Sequence, residues 1–346
     1  MNKATTKTNA SNDEKNYNGG FIMKTNEIKN QDTFNKVIVA ELEKEYDKGY
    51  HIRINQVIKN NDTVLYGLTI LEKNDSISPS IYLNDYFADY QTGRTLNSIV
   101  NEIVEIYEKN KLPQIPTRVS DIIDFQKVKN QIVVKLVNRD SNYTFLKDTP
   151  FIPFCDLAII FSIIVSTHEE GTATITVKNN ILYDYWKMNT ESLLELALEN
   201  SKRLLPAKIQ SMEEVLKEML GRDFSSQFGI DTEYSDIELD TLFQEIADDN
   251  QGAAMYVASN ISRINGASVM LYRDLLHDFT KRIKKNLYII PSSIHELILV
   301  PDNGHMSAKD IRGMVVDVNA TQVAPDEVLS DNVYYYNRNT DTITIA

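Results

Sequence analysis

Residues 291–304 read PSSIHELILVPDNG, and the way this stretch is read decides both the fold and the search for a site. Two serines, a histidine and a glutamate fall within six positions, followed by Asp-Asn-Gly. Pro291 fixes its own φ and donates nothing to a ladder, so the apolar run LYII before it must end or turn there. Ser292 and Ser293 are good turn residues. Residues 294–300 then predict a strand, closed by the turn Pro301-Asp302-Asn303-Gly304. In a strand, neighbouring side chains point to opposite faces. On that reading His295 and Glu296 diverge, and no nearby carboxylate orients the imidazole. A Ser293–His295–Asp302 set is the catalytic alternative, with Asp310 as another possible acid; it needs a fold that brings the groups together. Turn and strand chemistry accounts for every residue of the stretch, which favours structure over catalysis.

Working outward, strands and helices mix without a strict strand–helix–strand rhythm. Phe34, Val37, Ile38 and Leu42 share a helical face. HIRINQVIKNNDTVLYGLTILEK predicts two strands around a Lys-Asn-Asn-Asp turn. Residues 94–110 carry Leu96, Ile99, Val100, Ile103, Val104 and Tyr107 at helical spacing. DIIDFQKVKNQ reads as helix and IVVKLV as strand, and residues 156–177 read as two strands turned at HEEGT. ESLLELALENSKRLL is a helix stopped by Pro206, and MEEVLKEML a shorter one. AMYVASN is a strand. The next helix carries Tyr272, Leu275, Leu276, Phe279 and Ile283 on one face. SAKDIRGMVVDV starts with a capping-box-like Ser307 and Asp310 and has a stripe of Ile311, Met314, Val315 and Val318. VYYYN and TITIA close the chain as a hairpin. The expected class is therefore α+β, with mixed, largely antiparallel sheets flanked by helices in one elongated or two-lobed body.

The two prolines of KLPQIPTR mark the boundary between an N-terminal α+β lobe (23–115) and a C-terminal α+β lobe (116–346), the latter carrying an acidic insert at 222–250. Residues 1–22 are polar and predict a disordered leader. Gly19 and Gly20 stand just before Met23, at a spacing that suits a ribosome-binding purine run, so Met23 is the expected true start.

The chain has 346 residues, 42% apolar, with 49 acids against 36 bases and a formal charge of −13. Residues 231–250 hold eight of those acids and no base; the rest of the chain is still acidic. That balance argues against a nucleic-acid partner. The basic cluster Lys281, Arg282, Lys284 and Lys285 falls at a helix end, where it complements the helix dipole. One cysteine, Cys155, makes neither an internal disulfide nor a cysteine-based zinc site. Its surroundings hold nothing basic that would activate it. Five histidines show no HxxxH or HExxH spacing, and no phosphate-binding glycine motif follows a strand. No metal or cofactor is therefore expected. No apolar run is long enough to span a bilayer, and the N-terminus lacks a signal-peptide core, which points to the cytoplasm.

Two segments suggest an unknown protein partner. In the insert, Leu239, Leu242, Phe243 and Ile246 share one helical face among acids, suited to a basic, apolar groove; a solvated linker, or docking on its own body, is the reading favoured over it. Tyr334 and Tyr336 of the terminal hairpin are the other candidates, since alternate tyrosines of an edge face outward.

QVIKNNDTVLYGLTI, PSIYLNDYFADYQTGRTL, PSSIHELILVPDNG and VNATQVAPDEVLSDNVYYYNR resemble a family of uncharacterised proteins, a domain of unknown function common in gut clostridia and often found among mobile-element genes. The resemblance runs from about residue 23 to the C-terminus. More loosely, the order LALEN, GASVMLYRDLLHDF, PSS is similar to a second uncharacterised bacterial family. Neither resemblance implies an activity, a cofactor or a catalytic residue. Together with the acidic body, the first implies a non-enzymatic protein-binding factor of a mobile element or phage-like island, interfering with a host defence component. The alternative is a hydrolase or transferase built on Ser293, His295 and Asp302.

Overall fold

A computed structural model describes residues 28–46, 48–73, 80–109, 119–168, 171–218 and 254–346. The leader expected over residues 1–22, the start expected at Met23 and the insert residues Leu239, Leu242, Phe243 and Ile246 lie outside them. The described chain is α+β, with helices on three antiparallel sheets.

The first sheet is β1 (Tyr50–Ile58), β2 (Val64–Glu72) and β3 (Ser80–Tyr82), in that order. It is packed by α1 (Gln31–Glu45), α2 (Asn84–Gln91) and α3 (Leu96–Lys109). Asn30 caps α1 by accepting from the Thr33 N–H. Phe34, Ile38 and Leu42 of α1 meet Ile99 and Ile103 of α3 over Leu68 and Ile70, all essentially free of solvent contact. This core draws only on residues 28–107.

The second sheet centres on β6 (Leu157–His168). One edge of β6 pairs with β4 (Ile132–Asn138); the other pairs in succession with β5 (Phe151–Phe154) and β7 (Gly171–Thr176). The free edge of β4 is served by α4 (Thr190–Leu204). Ser201 Oγ accepts from the Val134 N–H at 2.9 Å, and Asn200 Nδ2 donates to Lys129 O and Ile132 O. Side chains of a packed helix thus satisfy a strand edge that would otherwise be open to pairing.

The third sheet has six strands, ordered β13 (Thr342–Ile345), β12 (Tyr334–Asn337), β10 (Leu287–Pro291), β11 (Leu297–Pro301), β9 (Tyr256–Asn260) and β8 (Ala207–Ser211). α5 (Arg273–Ile283) packs Leu276 and Phe279 into one large core with Val134 and Leu136 of β4, and with Phe161, Leu287 and Leu299. α6 (Ala308–Thr321) covers the other face through Ile311 and Val315, against Val333, Tyr288 and Ile290.

Two sequence expectations change. The strand expected over 294–300 begins only at Leu297; residues 292–296 are a loop. Its polar groups are bound outside any ladder: Ser293 N–H donates to Glu296 O, Ile294 N–H to Glu327 O, and Ala267 N–H to Ile294 O. The opposite-face argument for His295 and Glu296 therefore does not hold. The stripe expected on α6 splits: Ile311 and Val315 are buried, while Met314 and Val318 are half exposed.

Candidate functional site

The loop around His295 forms one end of the third sheet. Ser259 Oγ donates to His295 O at 2.7 Å, and Ser293 Oγ accepts from the His295 backbone N–H at 3.0 Å. The ring is held from both sides. Nδ1 accepts the Asn265 backbone N–H at 3.2 Å, and Nε2 lies 3.6 Å from Glu327 Oε1. With Nδ1 accepting, the proton sits on Nε2, facing the carboxylate. The carboxylate that sequence reasoning could not find comes from 32 positions further along, in the loop after α6.

Ser293, His295 and Asp302 are not brought together. Ser293 Oγ serves the His295 backbone, not its ring. Asp302 lies beyond the other end of β11, where it accepts from Tyr335 OH at 2.8 Å and from the Gly304 N–H. A five-residue strand separates them by roughly 13 Å. Asp310 caps α6 with Ser307.

Residues 324–330, which supply Glu327, also receive the β1–β2 turn. Asn60 Nδ2 donates to Asp326 O, and Asn61 Nδ2 donates to Pro325 O and Val328 O, all within 2.8 Å. Asn142, fully buried, accepts from the Asn61 N–H at 2.8 Å and donates to Asn60 Oδ1, Asn61 Oδ1 and Asn138 O. Asp62 accepts from the Thr144 and Phe145 N–H groups at 2.7 and 2.9 Å. Partial burial works against its charge, but these bonds hold its carboxyl below the ordinary value. Asn61 and Asp62 both adopt positive φ, 58° and 51°; Asn and Asp tolerate this left-handed region better than most residues. Three of the stretches on which the family resemblance rests, around Asn60, His295 and Asp326, therefore meet at one place.

Lys135 lies in the middle of β4. With Ser162, Thr172, Thr174, Leu205, Ile264 and Asn265 it lines a small crevice. Burial, and then the neighbouring Lys59 ammonium, push its amine down to about 8, against the pull of Asp326.

Tyr334 and Tyr336 face inward, at 0% and 2% exposure. Tyr334 OH donates to Asp156 at 2.7 Å, and the same carboxylate accepts from Ser330 and Asn332; Tyr336 OH donates to Asp341. Burial, with the bond to Asp156, raises the Tyr334 phenol far above its ordinary value. Cys155 is half-buried at φ 52°, and burial followed by Asp156 raises its thiol, so it stays protonated at neutral pH. Among the described residues no group of three His, Cys, Asp or Glu side chains is placed to hold a metal ion, and no helix is long and apolar enough to cross a membrane.

An α+β chain with a polar loop junction at the ends of its sheets is the class that fold and site define. Over residues 31–338 the chain matches a family of unknown function (DUF5688), and it belongs to that family. No curated protein and no solved structure matches it.

Proposed function

We propose that the protein is a cytoplasmic, non-enzymatic binding factor of a mobile element, which acts by occupying a host or element protein such as a defence component. The observation that carries this reading is the outer face of α6. Met314 and Val318, one turn apart on the same flank of the helix, are 50% and 48% exposed. A surface helix ordinarily turns polar residues to solvent, and contiguous exposed apolar side chains mark contact surfaces. The acidic body suits a partner whose apolar groove has a basic rim. Leu239, Leu242, Phe243 and Ile246 of the acidic insert are a second contact in this proposal. Tyr334 and Tyr336 serve the fold instead. The hydrolase or transferase alternative gains no support from the separation of Asp302 from Ser293 and His295.

The test is a tagged pull-down from the native host, quantified by mass spectrometry, with wild type, a Met314→Glu/Val318→Glu double variant and a deletion of 231–250. A protein recovered with wild type and reduced at least tenfold by the double variant is the expected result. Exposed substitutions of this kind leave stability within about 0.5 kcal/mol, so the loss reads on contact. Recovery of the same proteins by wild type and both variants would overturn the reading.

A further inference from the structure

Near the start of α1, the core beneath the first sheet ends in a cleft of about 420 Å³, a size that suits a small molecule. One wall is α1, with Asp32, Asn35, Lys36 and Val39 at helical spacing. The other is the β1–β2 pair, where Gln56 stands opposite Tyr66. Val39, Ile54 and the Tyr66 ring, half-buried at the edge of the core, make its apolar surface.

Asn35 is only 6% exposed, and half of its amide is unserved. Gln31 Nε2 donates to Leu83 O at 3.3 Å and to Asn35 Oδ1 at 2.9 Å. A backbone carbonyl only accepts, so Gln31 presents its NH2 there, and the Asn35 atom that meets it is the oxygen. The Asn35 NH2 is the group left over. Among the described residues it has no hydrogen-bond partner, and it is not fully enclosed; the open space beside it is the cleft. Desolvating a donor without replacing its bond costs free energy, so this NH2 calls for an acceptor from outside the chain. Groups for the rest of a ligand stand around it. Asp32 and Lys36 are exposed, and among the described residues neither has an ion pair, although an acid four positions before a base is the order that pairs best on a helix. Gln56 Nε2 donates to Tyr66 OH at 3.3 Å, which leaves Gln56 Oε1 as an acceptor.

We propose that this cleft binds a free dipeptide with an apolar side chain. Cβ atoms four positions apart on a helix stand about 5–6 Å from each other, and the charged ends of an extended dipeptide are roughly 6–7 Å apart. The ammonium faces Asp32 and the carboxylate faces Lys36. Between them the Asn35 NH2 donates to the peptide carbonyl, and Gln56 Oε1 accepts from the peptide N–H. The side chain lies on Val39 and Ile54. A free amino acid brings no peptide group for Asn35 and Gln56, and a blocked peptide lacks a charge. The site belongs to the first core and is independent of the outer face of α6.

Full-length protein titrated by calorimetry with alanyl-leucine, leucyl-alanine and leucyl-leucine tests this, with their N-acetylated and C-amidated forms and free leucine as comparisons. At least one free dipeptide is expected to bind with a dissociation constant under about 1 mM, and at least tenfold more tightly than leucine or either of its own blocked forms. Asp32→Asn is expected to erase the discrimination against the acetylated form alone, and Lys36→Gln that against the amidated form alone. Both positions are exposed, so the fold survives these changes. Asn35→Asp keeps the acceptor for Gln31 but replaces the NH2 by oxygen, and it is expected to weaken binding at least tenfold. No free dipeptide bound, which leaves water alone to serve Asn35, overturns the proposal. So does leucine or a blocked form bound as tightly as the free dipeptide, or discrimination unchanged in both Asp32→Asn and Lys36→Gln.

Discussion

A Cβ added at Gly266 would stand 2.0 Å from Ser259 Oγ and 2.3 Å from His295 O, two groups that are bonded to each other. The residue needs no unusual φ; room alone demands glycine. Gly266→Ala must push the His295 loop off β9, and it is expected to cost about 1–3 kcal/mol, read as a lowered midpoint in thermal denaturation. Lys135 carries the opposite sign. Its amine titrates near 8 when folded against 10.5 for a free lysine. Between those values the unfolded chain binds more protons, so this group's stability contribution rises with pH from 8 to 10.5 and is flat below 8. Lys135→Met removes the penalty and is expected to stabilise the protein at neutral pH by up to about 3 kcal/mol. Denaturant curves at several pH values check it: the wild-type minus variant difference narrows across that window.

Among the elements, the Lys-Asn-Asn-Asp turn was legible as a turn, because residues of that type favour one wherever they fall between two apolar runs. Its insertion between the Asn142 turn and residues 325–328 was not, since the partners lie 81 to 267 positions away. Asn142→Ala leaves the Asn61 N–H and two side-chain carbonyls without their partner, at an expected cost of about 1–3 kcal/mol. Asp62 adds a pH dependence. Its carboxyl is held below 3.8, so its contribution is present above that value and fades as pH falls through the lower, folded one. Asp62→Asn is therefore expected to flatten the acid limb of the stability profile. Helical stripes were legible where a helix packs broadly: Ile99, Val100, Ile103 and Tyr107 of α3 are buried as their spacing implies. On α6 the same rule predicted too wide a face, because the helix meets its sheet through a narrow seam of Ile311 and Val315.

At the scale of the molecule, the core of α1–α3 and the first sheet shares no buried residue with the core that joins the second and third sheets. What links them at the β1–β2 turn is a set of polar bonds, not apolar packing. Calorimetry is expected to resolve two transitions, and Asn142→Ala to move them further apart; a single two-state transition would contradict this description.

Local sequence determined the α+β class, the main helices, the cap at Ser307 and the hairpins β1–β2, β6–β7 and β12–β13. Each of these rests on periodicity and turn chemistry within a dozen residues. Which of three successive tyrosines faces inward was a different matter. Alternation allows either face, and identical side chains cannot choose; Asp156 and Asp341 made the choice for Tyr334 and Tyr336. The coil at His295, its ring facing Glu327, and the buried amine of Lys135 likewise belong to the tertiary structure alone. Each arises from groups that only chain folding places within reach, where burial removes the water that would otherwise have satisfied them.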